Sequence, residues 1–434
     1  MRRVFSFASA TRATAITIPA TVAITLVVVL AILNLTTGEK PVRKHVEHLY
    51  SVADPQFQRT LGVLLGPDIL PGNRFEVLRN GDEIFPSMLD AIRHAQKTIT
   101  FETYIYWSGR IGDTFADALA ERARAGVKVH VLLDWIGSAK MEERLLKKMR
   151  DAGVEVRVFH KPRWYTLDKL NNRTHRKLLV VDGVVGFTGG VGIGDEWTGH
   201  AQDPDHWRDT HFKAEGPIVA QMQAVFNDNW MKATGNVLHG DAYFPPIRAG
   251  GDARGQVFSS SPSGGSQSMQ VMYLLMINAA VHSIELSSAY FLPDDLARDT
   301  IVAAVRRGVR VRIITPGRFT DAALARRASR AGWGDLLRAG VEIYEYEPTM
   351  YHCKVLVADD LLVSVGSTNF DDRSFRLNDE ASLNIYDAAF AKRQVEIFED
   401  DLTHSRRISL EEWESRPWTE KLMEHSAALL GPQL

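Results

Sequence analysis

The sequence predicts an α/β protein made of two duplicated α/β domains with one shared active site, preceded by a single N-terminal transmembrane helix. Three observations predict it. A short His/Lys pattern occurs twice, the same strand–helix–strand succession surrounds both copies, and a long uncharged apolar stretch precedes them. Strands that alternate with helices indicate a layered α/β architecture. Because each half carries one copy of the pattern, we expect the active site at the interface between the halves.

The repeated pattern reads H-x-K-x-x-x-x-D, as HRKLLVVD beginning at His175 and as HCKVLVAD beginning at His352. Both copies lie in apolar, β-branched runs that are typical of strands, in which residues two positions apart point to the same face. Lys177 therefore accompanies the first histidine and Lys354 the second. An ammonium neutralises phosphate charge, and an imidazole acts as nucleophile or proton carrier. The pairs suit attack on a phosphodiester.

The aspartates that end the two patterns belong to the same candidate catalytic set, but their spacing predicts a different role for them. Asp182 and Asp359 stand at an odd spacing from their histidines, where the strand ends. This position favours a structural carboxylate that binds backbone or turn groups.

The repeat extends to the secondary structure around the pattern. The periodicity predicts a strand, a helix and a strand in each half, at 98–107, 113–125 and 127–133, and again at 283–291, 295–307 and 309–314. We expect a transmembrane anchor over 14–35, a linker over 36–66, a first domain over 67–248, a Gly/Ser-rich linker over 249–265 and a second domain over 266–434.

Composition and the N-terminus restrict the possible partners. The net charge of −2 gives no bulk basicity, so we expect no nucleic-acid partner. No charged residue occurs between Ala13 and Gly38, and an apolar run of about 20 residues is enough to cross a bilayer. No convincing cleavage site follows it, which favours an uncleaved single-pass anchor. Basic residues flank both ends about equally, so the charges do not fix which side the active site faces.

Residues around both patterns resemble the phospholipase D superfamily and, within it, the bacterial cardiolipin synthases. The second pattern is followed by VGSTNFDDRSFRLNDE at 365–380, which is similar to the synthase signature, and the FETYIYW strand at 101–107 is also similar. Two glycines depart from the family. Gly192 stands where the family has Asn, and Gly190 stands where the second half has Ser367.

The resemblance implies a role for each candidate site residue. It makes His175 the nucleophile that forms a phosphohistidine and His352 the acid and base, although the near-symmetry of the halves leaves this assignment open. It pairs Asp209 with His175 and Glu380 with His352, as carboxylates that fix the imidazole tautomers. The residues expected to bind the substrate phosphate are Ser367, Asn369, Gly189 and Gly190.

No metal or cofactor is expected, because the two histidines and two lysines already supply a nucleophile, an acid and charge neutralisation. A metal site formed by His200, His206 and His211 is the weaker alternative.

The resemblance implies a phosphatidyltransferase that makes cardiolipin from phosphatidylglycerol, releasing glycerol, at the bacterial inner membrane. Its partners would be phosphatidylglycerol, other phospholipids and the bilayer. Two alternatives stay open: a phospholipase D that hydrolyses phospholipid to phosphatidic acid, and a non-catalytic lipid-binding protein. A nuclease is disfavoured by the charge balance. The sequence does not determine the oligomeric state.

Overall fold

The computed structural model describes residues 7–35, 44–162, 171–246, 248–261 and 268–433. Within these ranges, 16 strands form one continuous mixed sheet, and a separate pair of short strands completes the β-structure.

The helices are α1 (Phe7–Leu35), α2 (Pro55–Leu65), α3 (Asn80–His94), α4 (Arg110–Arg124), α5 (Glu143–Asp151), α6 (Ile218–Thr234), α7 (Ser268–Ala279), α8 (Asp295–Arg306), α9 (Ala323–Ala331), α10 (Trp333–Ala339), α11 (Asp372–Arg376), α12 (Ala388–Thr403), α13 (Leu410–Glu414) and α14 (Trp418–Ala428). The strands are β1 (Leu70–Arg79), β2 (Thr98–Thr103), β3 (Lys128–Asp134), β4 (Glu155–Phe159), β5 (Arg173–Thr174), β6 (Leu178–Val181), β7 (Val185–Gly189), β8 (Thr210–Glu215), β9 (Ala253–Ser260), β10 (Ser283–Ser288), β11 (Phe291–Leu292), β12 (Arg310–Pro316), β13 (Glu342–Tyr346), β14 (Lys354–Ala358), β15 (Leu362–Gly366), β16 (Phe370–Asp371), β17 (Asn378–Tyr386) and β18 (Ser405–Ile408).

The predicted strand–helix–strand units are present in both halves. β2 and β3 are parallel and joined by α4, and β10 and β12 are parallel and joined by α8. Helix α4 buries Phe115, Ala116 and Leu119, the apolar stripe that predicts it. The chain leaves α4 and α8 through Gly126 and Gly308, whose φ angles of +92° and +98° favour glycine.

The sheet order shows the duplication directly. From one edge it runs β18-β13-β12-β10-β14-β15-β17-β9-β1-β8-β7-β6-β2-β3-β4, with β5 pairing on β17. The strands on either side of the β9–β1 boundary correspond in the same order outwards, which gives the two halves a pseudo-twofold relationship. The single sheet confirms the duplicated α/β architecture.

The stretch expected as a linker over 249–265 is not a linker throughout. Residues 253–260 form β9, which pairs with β17 on one side and β1 on the other. Gln256, Val257 and Phe258 are buried there, so this segment completes the backbone hydrogen bonding at the centre of the sheet. The Gly/Ser-rich residues on either side of this strand are typical of a linker, so the sequence pattern did not predict it.

A shared apolar core fixes the two halves against each other. Leu178 and Phe212 from the first half pack in one cluster with Val257, Val355 and Leu383. Burial of apolar side chains from both halves is the main favourable contribution to such an interface. The core therefore holds the two His/Lys patterns in fixed relative positions.

Across the described ranges, no helix has the combination of length and apolar character needed to cross a membrane. The segment expected as a transmembrane anchor over 14–35 lies in helix α1, but the structure does not confirm it as a membrane span.

Candidate active site

His175, Lys177 and His352 line one cavity of about 490 Å³ between the two halves, and Lys354 lies directly beside His352. The first histidine and lysine precede β6. The second histidine lies two residues before β14, and Lys354 is the first residue of that strand, so both pairs lie at strand starts rather than within strands. His175, Lys177, His352 and Lys354 are all buried. The sequence correctly predicted that both copies of the pattern form one site.

Each histidine is oriented by a carboxylate from the opposite half. His175 Nδ1 lies 3.0 Å from Glu380 Oε1, and His352 Nδ1 lies 2.7 Å from Asp209 Oδ2. Both carboxylates are fully buried. With its Nδ1–H donated to a carboxylate, a neutral imidazole presents an unprotonated Nε2, the form that a nucleophile or base needs.

The expected pairing of Asp209 with His175 and of Glu380 with His352 is therefore wrong. Strand register explains why. Thr174 pairs with Asp379 where β5 meets β17, so the next residues, His175 and Glu380, are neighbours.

The second histidine is placed in the same way, with the roles of the two halves exchanged. An isolated bridge joins Arg208 to Tyr351, and the backbone N–H of His352 donates to the carbonyl of Arg208 at 2.7 Å. This contact brings Asp209 beside His352.

The two lysines hold equivalent positions in a crowded cationic centre. Lys177 Nζ donates to the carbonyl of His175 at 2.8 Å, and Lys354 Nζ to the carbonyl of His352 at 2.7 Å. Burial, reinforced by the charge of Lys354, lowers the pKa of Lys177 to about 7. Burial also lowers the pKa of Lys354. A phosphate anion bound between the ammonium groups would stabilise both positive charges.

Burial is also the main influence on the pKa values of the imidazoles. It lowers the pKa of His175 to about 4, against the opposing effect of Glu380, and it lowers the pKa of His352 together with the charge of Lys354. For the carboxylates, by contrast, the contacts outweigh the effect of burial on the pKa. Although burial disfavours their ionised forms, the contacts with the histidines hold the pKa values of Glu380 and Asp209 below their ordinary range. Before substrate binds, the site therefore contains two ionised carboxylates and, at His175, a neutral imidazole.

The residues expected to bind phosphate do not all reach the cavity. Asn369 lines it, and its Oδ1 is buried without a hydrogen-bond partner among the described residues. The Ser367 hydroxyl instead donates to Glu380. Gly189 and Gly190 lie behind the site, where an added Cβ would overlap His211 and Asp209 respectively. The Asp209 carboxylate thus fills the space that a serine side chain would need at Gly190.

The motif aspartates lie outside the cavity lining and bind backbone. Asp182 accepts hydrogen bonds from the N–H groups of residues 96–98, at 2.8, 2.6 and 2.9 Å. Asp359 accepts from those of residues 281–283, the shortest at 2.7 Å. Their place in the catalytic set is corrected to the structural role that their spacing favours.

Sequence reasoning did not single out several aromatic residues of the site. The Tyr104 ring lies 5.2 Å from the His175 ring, and the Trp207 ring lies 5.5 Å from the His352 ring. Trp197 Nε1 donates to Asp209 Oδ2 at 3.0 Å. All three lie in segments that resemble the family, and this resemblance could have identified them as site residues. Their rings pack around the two imidazoles.

The three histidines considered for a metal site do not converge. His200 contacts Asp82 and His206 contacts Asp203, whereas His211 is buried behind Gly189. Over the described residues, no group of three or more His, Cys, Asp or Glu side chains is arranged to hold a metal ion.

The duplicated sheet and the paired His/Lys/carboxylate centre define an enzyme of the phospholipase D superfamily. The sequence family described as "Cardiolipin synthase, PLD-like domain" matches residues 88–230 and 273–402, one segment in each half. The chain belongs to this cardiolipin synthase family.

Similar proteins agree with this classification. Cardiolipin synthase 2 of Bacillus cereus is 35% identical over 394 residues, 90% of this chain and 75% of that protein. The major cardiolipin synthase ClsA of Bacillus subtilis is 35% identical over 365 residues, 83% of this chain and 76% of that protein. The crystal structure of a phosphatidylserine synthase from Haemophilus influenzae has a TM-score of 0.69 at 16% identity, covers 87% of this chain and all of that one, and shares the fold.

Proposed function

We propose that the protein is a phosphatidyltransferase that joins two phosphatidylglycerol molecules into cardiolipin and releases glycerol. One observation carries the proposal: His175 and His352 share one cavity, each held through Nδ1 by a carboxylate, with Lys177 and Lys354 beside them. This arrangement supplies a nucleophile, a proton carrier and two cations for the phosphate oxygens.

In the first half-reaction, Nε2 of His175 attacks the phosphorus of the donor lipid. The phosphorus–nitrogen bond forms as the bond from phosphorus to the headgroup oxygen breaks. His352 begins this step protonated on both ring nitrogens, gives its Nε2 proton to the departing glycerol and becomes neutral. In the second half-reaction, His352 takes the proton from a hydroxyl of the acceptor lipid. That oxygen attacks phosphorus, the phosphorus–nitrogen bond breaks, and His175 is restored.

The rival hydrolase would use the same intermediate with water as the acceptor. Burial of both imidazoles and the aromatic residues around them favour transfer, because they exclude water from the phosphohistidine. We therefore expect purified protein supplied only with detergent-dispersed phosphatidylglycerol to yield cardiolipin and free glycerol in equal amounts, with little phosphatidic acid.

The product distribution separates the three candidate functions. Phosphatidic acid as the main product across physiological lipid densities would make the protein a hydrolase. Lipid binding without any turnover would indicate a non-catalytic protein. A His175→Ala preparation, purified in parallel, measures the contribution of contaminating host enzymes.

We further propose that the protein works at the bacterial inner membrane, attached through α1, the segment in which the sequence predicts a single-pass anchor. Exposed apolar side chains on α1 support this, among them Ile18 and Val27 at 63% and 66% exposure. Deletion of residues 1–37 should move the protein out of the membrane fraction and leave activity on detergent-dispersed phosphatidylglycerol. Unchanged fractionation of the deleted form would contradict attachment through α1.

A further inference from the structure

The cavity contains a second positively charged region besides the two lysines. Arg173 from β5 and Arg373 from α11 both line it, so each half supplies one guanidinium. Arg173 hydrogen-bonds to Tyr104, whose ring lies 5.2 Å from that of His175. Arg173 is therefore one side chain away from the reacting histidine.

Arg373 is held in place by neutral groups. Its Nη1 donates to the carbonyl of Gln433 at 2.8 Å, and its Nη2 donates to the carbonyl and side-chain oxygens of Asn171 at 3.1 and 3.0 Å. These acceptors fix the guanidinium without cancelling its charge. Burial, together with the neighbouring Arg173, lowers the pKa of Arg373, so an anion placed between the two arginines would be stabilised.

The carboxylates that face this region are already engaged by backbone donors. Asp134 accepts from the N–H groups of Ile136, Gly137 and Thr174, and Asp371 accepts from that of Ser374. Their hydrogen-bonding capacity is directed towards the backbone. These backbone contacts hold the two carboxylates in place, while both guanidinium groups line the cavity.

An unpartnered acceptor lies beside the arginines. Asn378 pairs with Arg173 in the β5–β17 register, and its side chain lines the cavity. Its Nδ2 donates to Glu380 at 3.1 Å, whereas its Oδ1 is buried without a hydrogen-bond partner among the described residues. A buried acceptor of this kind fits a ligand hydroxyl. Two guanidinium groups next to an amide oxygen match a phosphate that carries a hydroxylated chain.

We propose that Arg173 and Arg373 bind the phosphate of the acceptor phosphatidylglycerol, while Asn378 accepts a hydrogen bond from the secondary hydroxyl of its glycerol. This inference rests on the proposed function. The attacking hydroxyl is joined to the acceptor's own phosphate by only three carbons, so that phosphate must enter the same cavity. Water and small alcohols lack this anion, and the subsite therefore selects a phospholipid acceptor over water.

Two reactions of one phosphohistidine test the subsite. Cardiolipin formation uses an acceptor with a phosphate, whereas exchange of radiolabelled free glycerol into phosphatidylglycerol uses an acceptor without one. In Arg173→Gln and in Arg373→Gln, we expect cardiolipin formation to fall roughly 10- to 100-fold, the effect of losing a hydrogen bond to a charged group. Glycerol exchange should stay within about 3-fold of wild type, and the share of phosphatidic acid should rise.

The matched control is Arg376→Gln, which removes the same charge from the same helix. Arg376 pairs with Asp294 and Asp372 and does not line the cavity, so both reactions should be retained. Arg173→Gln leaves the contacts of Arg373 with the C-terminal residues intact, which separates ligand binding from folding. If both reactions fall together in Arg173→Gln, or if neither falls, the subsite is wrong. Wild type that makes no cardiolipin would instead remove the proposed function itself.

Discussion

Nδ1 of His175 lies 3.0 Å from Glu380, a carboxylate 205 residues further along the chain and in the opposite half. His352 and Asp209 repeat this relationship across 143 residues in the other direction. Neither half therefore contains a complete histidine–carboxylate pair. The duplication gave the protein two equivalent frameworks, and their packing makes one catalytic centre from parts of both.

Because each histidine is paired with a carboxylate from the opposite half, the structure predicts which imidazole pKa changes when each carboxylate is removed. Glu380 raises the pKa of His175, so Glu380→Gln should lower the pKa of His175 and leave that of His352 nearly unchanged. Asp209→Asn should lower the pKa of His352 alone. NMR titration of protein with isotope-labelled histidine measures both. We expect each substitution to reduce kcat by about 10²–10⁴-fold, because it removes the group that fixes the active tautomer.

The unaffected histidine serves as an internal control in each variant. If Glu380→Gln shifted the pKa of His352 and left that of His175 in place, the pairing would follow the sequence halves and the geometry described here would be wrong.

The two histidines should differ in which half-reaction they support. An aryl phosphodiester has a leaving group that needs no proton, so His352→Ala should still form a phosphoenzyme on His175 but should turn it over very slowly. His175→Ala should form none. Both variants should abolish cardiolipin formation while the far-UV circular dichroism of the protein stays unchanged. The measurement is trapping of radiolabelled phosphate on protein, followed by mapping of the labelled residue. Label on His352 in the His175→Ala protein would reverse the assignment.

The lowered pKa of Lys177 predicts an alkaline limb in the pH profile. The lysine neutralises phosphate only when protonated, so kcat/KM should fall as pH rises above about 7. Bound substrate is anionic and favours the protonated lysine, so the corresponding limb of kcat should lie at higher pH. The acid limb should lie near the pKa of His175, about 4, below which the nucleophile is protonated.

Lys177→Arg tests the origin of the alkaline limb, because an arginine stays charged throughout the accessible range. We expect lower activity in this variant, with the alkaline limb of kcat/KM displaced upwards. An unchanged limb would assign it to another group.

The glycine that replaces the serine of the second half predicts an asymmetric response to substitution. An added Cβ at Gly190 would overlap the Asp209 carboxylate, so Gly190→Ser should displace the partner of His352. We expect kcat to fall at least 10-fold and the free energy of unfolding to fall by about 1–3 kcal/mol, the usual cost of overpacking. Ser367→Gly should instead act through two lost hydrogen bonds, the one that the hydroxyl donates to Glu380 and the one that it accepts from the N–H of Ala381. Denaturant unfolding and steady-state kinetics distinguish the two effects.

The sequence predicted the fold, and it predicted that the two motif histidines lie around one cavity, because both depend on local patterns. The strand–helix–strand units follow from apolar periodicity and from Gly126 and Gly308 at the helix ends. The histidine–carboxylate pairing depends instead on which strands lie side by side. Thr174 pairs with Asp379, which is visible only once β5 meets β17. The strand β9 was missed for the same reason, because its partners are distant in sequence.

Asp182 and Asp359 provide a test of whether the whole H-x-K-x-x-x-x-D pattern is catalytic. Each carboxylate accepts three backbone N–H groups at the start of a neighbouring strand, at β2 and at β10. Asp182→Ala leaves those donors without their partner, which should lower the free energy of unfolding by roughly 1–3 kcal/mol. The folded fraction should keep kcat within about 3-fold of wild type, because the carboxylate does not line the cavity.

Asp359→Ala should have the same effect on stability and on kcat, because Asp359 makes the equivalent three backbone contacts in the second half. The two effects on stability should add in the double variant, because the residues share no partner. The measurements are urea unfolding of each variant and kinetics normalised to active sites, counted by phosphoenzyme trapping. A loss of kcat as large as that of Glu380→Gln, with stability unchanged, would place these aspartates in the catalytic machinery after all. We expect the opposite, because an aspartate that organises three consecutive backbone N–H groups holds the strand from which the site is built.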